Sequence, residues 1–326
     1  MSLGHILICG LGSIGQRHLR HFRELGVSRV DAFRTGRGTL KIKNLPFSGQ
    51  IFDSMDEALQ QNPEAVIVAN PTVFHLSTAR AAIQGGAHVL IEKPISHELD
   101  GCEELLEEAG SMGRVVAVGC NLRFHPLLFA LKAVVSSKEL GQPLIASAHF
   151  GAYLPDWHPW EDFRQTYAAR RDLGGGAALT HIHEIDYLLW LFGPAVEVKG
   201  FCLEAHPLGT DVDEATVGII RHQQGTLSNL NLSLCERPPS RKLHIVFGEG
   251  STDLDFLKNT LLIEQGEGRV RKIDLATGFT IDQTYADQAR AFAAKLSGTP
   301  VDQLCSGSDA VESLKVALGI RGKGNG

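Results

Sequence analysis

Gly10-Leu11-Gly12-Ser13-Ile14-Gly15 follows the apolar run His5-Ile6-Leu7-Ile8 and precedes a helix-like stretch. Strand, glycine turn, helix is the order that a dinucleotide needs. Gly10 permits the tight turn, Gly12 lets the backbone approach a pyrophosphate, and Gly15 lets helix and strand pack closely. The phosphates would rest on the unpaired N–H groups of the helix N-terminus, around Ser13 and Ile14. Two further groups follow apolar strands: Asn70-Pro71-Thr72 with His75, after residues 65–69, and Glu92-Lys93-Pro94, after residues 87–91. Open parallel sheets bind ligands at the C-terminal ends of their strands, so both groups belong to the same cofactor edge. A lysine there supplies a proton-transfer group beside a nicotinamide.

The second strand decides which dinucleotide is expected. It reads Val30-Asp31-Ala32-Phe33-Arg34-Thr35-Gly36-Arg37. A carboxylate at the strand tip would accept the ribose hydroxyls of NAD. Asp31 stands before the tip, within the sheet, whereas Arg34, Thr35 and Arg37 occupy the tip itself. Arginine pairs with a 2′-phosphate through charge-assisted hydrogen bonds and stacks on adenine, so NADP is the preferred cofactor, with NAD the alternative.

Further along, Gly174-Gly175-Gly176 opens a helix expected over residues 177–192 that carries Thr180, His181, His183 and Glu184. His183 reads either as a core histidine bonded to Asp186 or as an active-site imidazole. On a continuous helix, His181 and His183 point about 200° apart and cannot share an ion, so no metal site is expected. The segment Tyr153-Leu154-Pro155-Asp156-Trp157-His158-Pro159-Trp160, continuing to Tyr167, Arg170 and Arg171, is too polar and too aromatic for a core. Its composition suits sugar recognition by ring stacking and hydroxyl bonding, and equally suits a subunit contact.

These groups need a scaffold, and the first 120 residues supply alternating strand and helix signals. Strands are expected at residues 6–9, 29–33, 65–69, 87–91 and 115–118, and helices at 14–25, 54–61, 73–84 and 98–109. Ser54 with Glu57 forms a capping box at one helix start. Continuous apolar strands separated by helices imply a doubly wound parallel sheet of Rossmann type over residues 1–122. Residues 123–326 read as an α+β domain for substrate binding and oligomerisation. It has helices at 126–135, 177–192, 285–296 and 309–318 around a large, open, mostly antiparallel sheet. The 326 residues carry a net charge of −6, which excludes an electrostatic case for nucleic acid or an anionic membrane as partner. Six scattered cysteines without a CxxC pair fit a reducing compartment. The first apolar stretch is too short for a signal peptide and no run is long enough to span a bilayer, so a cytoplasmic protein is expected.

The order GxGxxG, Asn-Pro-Thr-x-x-x-His, Gly86-x-His88-x-x-x-Glu92-Lys93-Pro94, Asn121-x-Arg123-Phe124-x-Pro126 and Gly174-Gly175-Gly176 through His183 to Asp186 resembles the glucose-fructose oxidoreductase/inositol dehydrogenase/MocA family, nearly from end to end. The resemblance implies that Lys93 is the active-site lysine, that Pro94 follows a cis peptide, and that Glu92 contacts the nicotinamide ribose. It also puts Asn121 among the cofactor residues, Arg123 and Thr180 toward the substrate, and His183 at the catalytic centre. Members often form homodimers or homotetramers through the open sheet. The sequence departs from the family in one place. An aspartate four residues before the histidine is missing, and Leu179-Thr180-His181-Ile182-His183 offers no carboxylate in its stead. The expected activity is hydride transfer between NAD(P) and a carbinol carbon of a sugar, polyol or nucleotide sugar, with Lys93 or His183 moving the hydroxyl proton. The alternatives are a cofactor-binding sensor without turnover, and a hydrolase or epimerase that oxidises its substrate transiently.

Overall fold

The computed structural model describes residues 3–36 and 49–322. The chain forms two compact units. One holds the chain up to Phe124 together with Thr280–Val311, and the other holds His125–Phe279 with the residues from Glu312 onward.

In the first unit, β1 (His5–Cys9), β2 (Arg29–Phe33), β3 (Ile51–Phe52), β4 (Ala65–Val68), β5 (His88–Ile91) and β6 (Val116–Val118) pair in parallel, in the order 3-2-1-4-5-6. That is the order of a dinucleotide-binding sheet. Helices α1 (Ser13–Glu24), α2 (Met55–Leu59), α3 (His75–Gln84) and α4 (Cys102–Ser111) connect the strands. Ile6, Leu7 and Ile8 of β1 and every residue of β4 are fully buried, as a sheet covered on both faces requires. Ser54 caps α2 by accepting the Glu57 N–H at 3.4 Å, as the capping box predicts. Helix α4 starts at Cys102 rather than residue 98, because Gly101 takes a left-handed conformation with φ 79°.

The segment Thr280–Val311 departs from a single boundary at residue 122. Its helix Asp282–Leu296 lies on α1, with Phe292 edge-on to Phe22 at 6.4 Å. Asp282 sits within 2.7 Å of Arg20 and 3.0 Å of Arg17. Its strand Cys305–Ser306 adds antiparallel to β6. Nothing in the local sequence distinguishes this helix from one belonging to the neighbouring unit, because its partner face is set 260 residues away in α1.

The second unit opens with α5 (Pro126–Ser137) and β7 (Pro143–Gly151), followed by a chain of short 3-10 turns up to Leu173. Next come α6 (Ala177–Thr180) and α7 (Ile182–Phe192), then β8 (Ala195–Cys202), β9 (Ala215–His222), β10 (Leu227–Ser233), β11 (Ser240–Phe247), β12 (Gly250–Asp255), β13 (Thr260–Gln265) and β14 (Arg269–Asp274). The eight strands form one sheet in the order 14-13-12-11-7-10-9-8, antiparallel except where β7 meets β10. Strand β14 carries no apolar alternation and is largely exposed, which is why the sequence pattern passes over it. The helix expected over 177–192 breaks at His181, whose ring packs against Phe150 at 4.2 Å and Trp157 at 5.7 Å. No helix among the described residues is long and apolar enough to cross a membrane.

His125, the first residue of this unit, is buried edge-on between Phe256 at 5.2 Å and Phe279 at 5.1 Å. Burial, helped by the Arg241 charge, pushes its pKa down to about 4. His75, His88 and His222 shift in the same direction, each mainly through burial. A buried neutral histidine is protonated first in the unfolded chain, so its contribution is intact above the unfolded pKa of about 6.5 and is lost as pH falls toward the folded value. Denaturant melts at about pH 7.5 and about pH 5 should therefore show the native protein losing about 2 kcal/mol more than His125→Leu. Equal losses in the two proteins would mean that this ring titrates like an exposed one.

Candidate functional site

The glycine turn has the geometry that the sequence requires. Gly10 adopts φ +100°, and a Cβ there would stand 2.7 Å from the Ala69 carbonyl oxygen. A Cβ on Gly15 would fall well inside contact distance of the Gly10 carbonyl. The two glycines let α1, the turn and the end of β4 close on one another, and the Gly10 N–H donates to Phe33 O at 2.9 Å. Gly12 differs. It is exposed, its φ of −67° suits any residue, and a Cβ would meet nothing within 4 Å. No side chain caps α1 at this end, so the N–H groups of its first turn face the space that Gly12 leaves. A pyrophosphate fits this arrangement, and Ser13 and Ile14 lie in the same turn.

Register carries the neighbouring strand ends to the same edge. Cys9 is paired with Phe33 and Val68, and Val68 with Ile91. Gly10, Arg34, Asn70 and Glu92-Lys93 therefore all emerge side by side. The Arg34 N–H is pinned to Phe52 O at 3.0 Å, and Thr35 beside it is exposed. Asp31 is fully buried, its carboxylate 2.9 Å from His5, 2.7 Å from Arg29 and 2.8 Å from the Gln50 N–H. Burial pushes this carboxyl upward, but those partners outweigh it and hold it below the usual range. It holds strands together, as its place before the tip implies. Arg37 lies outside the described residues.

Three expected cofactor residues also bond within the protein. His75 is buried, with Nδ1 2.8 Å from Pro94 O and Nε2 2.9 Å from Asn70 O. It ties the Asn70 loop to the loop after Lys93, and Lys93-Pro94 is a cis peptide as the resemblance implies. Asn70 gives its amide N–H to Thr78 Oγ1 at 2.8 Å, whereas Pro71 is exposed at the loop surface. Asn121 is buried, and its amide N–H donates to Thr284 Oγ1 at 2.6 Å. Arg123, expected toward the substrate, is also buried and pairs with Asp309 at 3.1 Å. Polar character alone cannot separate these structural pairs from binding groups, because both partners lie far apart in sequence. Lys93 is partly exposed. The Glu92 carboxylate beside it is nearly buried, with Oε1 2.6 Å from His18 Nε2.

In the second unit, Thr180 ends α6 and His183 lies in the first turn of α7, both buried. The helix-angle argument against a shared metal no longer applies, since His181 stands between the helices, with Nε2 3.2 Å from Ser233 O. Glu184 is fully buried and bound by Arg241 through both oxygens, at 2.6 and 3.0 Å. That guanidinium lies 4.2 Å over the Phe150 ring. The pair fixes α7 on β11 and so sets the backbone from which His183 projects. Asp213 accepts the Ala178 N–H at 2.9 Å, pairs with Arg321 at 3.0 Å, and fills the place that a side chain at Gly176 would need. It caps α6 from another part of the chain. Glu184, Arg241 and Asp213 are site-supporting residues that sequence reasoning missed. The only local signal was a carboxylate inside an apolar helix. Trp157 and Tyr167 are half-buried, and Trp160 is 70% exposed with His158 at 5.1 Å. Arg170 pairs with Asp172 two residues on, Nε to Oδ1 at 2.9 Å.

Comparison with known proteins adds to this geometry. Residues 5–120 match the family model "Oxidoreductase family, NAD-binding Rossmann fold", and residues 129–253 match the "GFO/IDH/MocA C-terminal domain". UDP-N-acetylglucosamine 3-dehydrogenase of Acidithiobacillus ferrooxidans is 27% identical over 328 residues, covering 96% of this chain and 95% of that protein. A solved structure of that enzyme gives a TM-score of 0.79 at 25% identity, over 98% of this chain and 96% of that one. Inositol 2-dehydrogenase 3 of Saccharopolyspora erythraea is 28% identical over 195 residues, which is 56% of this chain and 52% of that protein. Levoglucosan dehydrogenase in complex with NADH and levoglucosan shares the fold, with a TM-score of 0.87 at 17% identity over 98% and 97% of the two chains.

The glycines separate binding from folding. Gly12→Ala should melt like the native protein yet bind NAD(P)H at least about tenfold more weakly in a fluorescence titration, because its methyl occupies the approach to the phosphates. Gly15→Ala should lose about 1–3 kcal/mol of stability, because its methyl has nowhere to go. A Gly12→Ala protein with native cofactor affinity would show that the phosphates do not rest on this turn.

Proposed function

Because this chain belongs to the Gfo/Idh/MocA family of NAD-binding oxidoreductases, we propose that it transfers hydride between a nicotinamide and a carbinol carbon of a nucleotide sugar or related sugar. The observation that carries this reading lies within the first unit. One sheet edge presents both an uncapped helix N-terminus, left open at Gly12, and Lys93 two residues past the end of β5. The likeness to a nucleotide-sugar dehydrogenase along nearly its whole length supports a nucleotide sugar ahead of a free polyol.

NAD(P), when bound, supplies the two-electron acceptor or donor. The N–H groups around Ser13 and Ile14 would hold its phosphates, and the partly exposed Lys93 stands at the same edge. Two side chains have the chemistry to take the hydroxyl proton in oxidation and return it in reduction: the Lys93 amine and the His183 imidazole. Trp157, Trp160, Tyr167 and Arg170 offer ring faces and donors suited to a sugar, and Thr180 a hydroxyl. Arg34, with its backbone held at the tip of β2, provides the guanidinium for a 2′-phosphate, so NADP is the cofactor that we assign ahead of NAD. None of the six cysteines forms a disulfide, which suits the cytosol as location.

The sheet of the second unit also leaves apolar side chains uncovered. Phe201 on β8 is 82% exposed and faces Val217 on β9, with Ile219 next along the same face, each more than half exposed. We assign this face to a homodimer or homotetramer contact, since uncovered apolar rows of this kind mark association surfaces.

A panel of UDP-N-acetylglucosamine, inositol and levoglucosan, read by NAD(P)H absorbance, tests the activity. Turnover is expected with the nucleotide sugar. Lys93→Ala and His183→Ala should each be followed as pH–rate profiles, with a loss of about 10²-fold or more at the residue that moves the proton. Near-native rates in both variants would remove the site assignment. In the same assay Arg34→Asp should reverse the NADP preference by about tenfold or more, and an unchanged ratio would sink it. Separately, Ile219→Asp should convert the oligomer to a smaller species in mass photometry with little change in melting; a native assembly that is already monomeric refutes the sheet contact.

A further inference from the structure

Within the first unit, one buried polar pair joins the helix behind the glycine turn to the strand end that carries Lys93. His18 on α1 is fully buried, and its Nε2 lies 2.6 Å from Glu92 Oε1. The other carboxylate oxygen faces the Lys93 N–H at 3.3 Å. An ionised carboxylate only accepts, so Nε2 carries the hydrogen of this bond. Nδ1 of His18 has no hydrogen-bond partner among the described residues. The ring sits between Phe22 and Tyr285, each at 6.3 Å. On the far side, Gly119 after β6 leaves room for the carboxylate: a Cβ there would lie 2.9 Å from Glu92 Oε1.

A buried pair of this kind is seldom the most stable filling for its space, since desolvation offsets much of the attraction. Its geometry has another consequence. Glu92 adjoins Lys93 in sequence, and its second oxygen already faces the Lys93 N–H, so a carboxylate released from His18 stays beside the residue that carries the amine. We propose that His18 is a positioning residue: by holding the Glu92 carboxylate against α1, it sets where that charge stands relative to Lys93 and couples the lysine to the helix that would receive the pyrophosphate. The proposal rests on the reading of Lys93 as a reactive group, and it concerns a histidine that touches neither substrate nor reacting atoms.

The test reads Lys93 directly, without cofactor or substrate. Trace acetylation with acetic anhydride, quantified by mass spectrometry, measures the reactivity of each amine, with the exposed Lys258 and Lys295 as internal references. In His18→Leu, acetylation of Lys93 relative to those references should fall about threefold or more, because a freed carboxylate favours the unreactive ammonium. His18→Gln, whose amide N–H can reach Glu92, should restore Lys93 to within about twofold. If His18→Leu does not fold, His18→Asn, polar but too short to reach, carries the same expectation. In turnover, kcat should fall about tenfold or more while the NADPH dissociation constant moves by less. A merely structural role would lower the melting temperature without selecting Lys93 or being rescued by glutamine. Unchanged Lys93 acetylation in folded His18→Leu, or in folded His18→Asn, overturns the proposal. A native protein that turns over no substrate while the acetylation pattern holds would overturn the proposed activity and leave this coupling standing.

Discussion

The first unit is organised by a close approach of backbone to backbone. With no side chains on Gly10 and Gly15, the start of α1, the glycine turn and the end of β4 come together at distances that a Cβ on either residue would forbid. That approach fixes the N-terminus of α1 against the C-terminal edge of the sheet, and the parallel register then decides what else reaches that edge. The open N-terminus of α1 and the placement of Lys93 are thus consequences of one packing constraint rather than two separate features. The polar contacts follow the same logic. His75 bonds two strand-end loops together, and the His18–Glu92 bond joins the helix to the strand after β5.

The second unit solves a different problem. Its helices must present polar side chains while lying in an apolar environment, and it does so with buried charges that are fully occupied. Glu184 gives both oxygens to Arg241, and Asp213 spends its carboxylate on the α6 N-terminus and Arg321. Removing one member of such a pair leaves an uncompensated charge, at a cost of about 3–5 kcal/mol. The cost is what makes the pairs effective anchors. An alternative packing of α7 would have to separate Glu184 from its guanidinium.

The elements legible from sequence alone were those whose signal is local. Apolar strands, the Ser54 capping box and the glycine turn all depend on neighbours within a few residues. Sequence reasoning matches the structure where backbone geometry demands a residue type, as at Gly10 and Gly15. It reaches less far where a polar residue's role depends on a distant partner. Asn121 and Arg123 read as ligand contacts, and the structure also gives each a protein partner, Thr284 and Asp309. Asp213, Arg241 and His18 were passed over because nothing nearby in sequence marks their partners. The return of Thr280–Val311 to the first unit belongs to the same class, since Phe292 is an unremarkable helix residue until Phe22 is placed beside it.

The missing aspartate before His183 is the place where family pattern and physical structure part. A carboxylate one helical turn before a histidine reaches it by spacing alone when both belong to one continuous helix. Here the helix breaks at His181, and Leu179 and Thr180 lie on α6 whereas His183 lies on α7. An aspartate at 179 would not inherit one-turn spacing to the imidazole. The break itself is held from outside: His181 is drawn to Phe150 and Trp157, and its Nε2 to Ser233 O. Once the helix is divided, the backbone under His183 needs its own anchor, and the adjacent Glu184 supplies it through Arg241. The same guanidinium lies over Phe150, the ring that also packs on His181, so one cation connects the break to the anchor. Tertiary contacts from β7 and β11 thus hold the chain on both sides of the break.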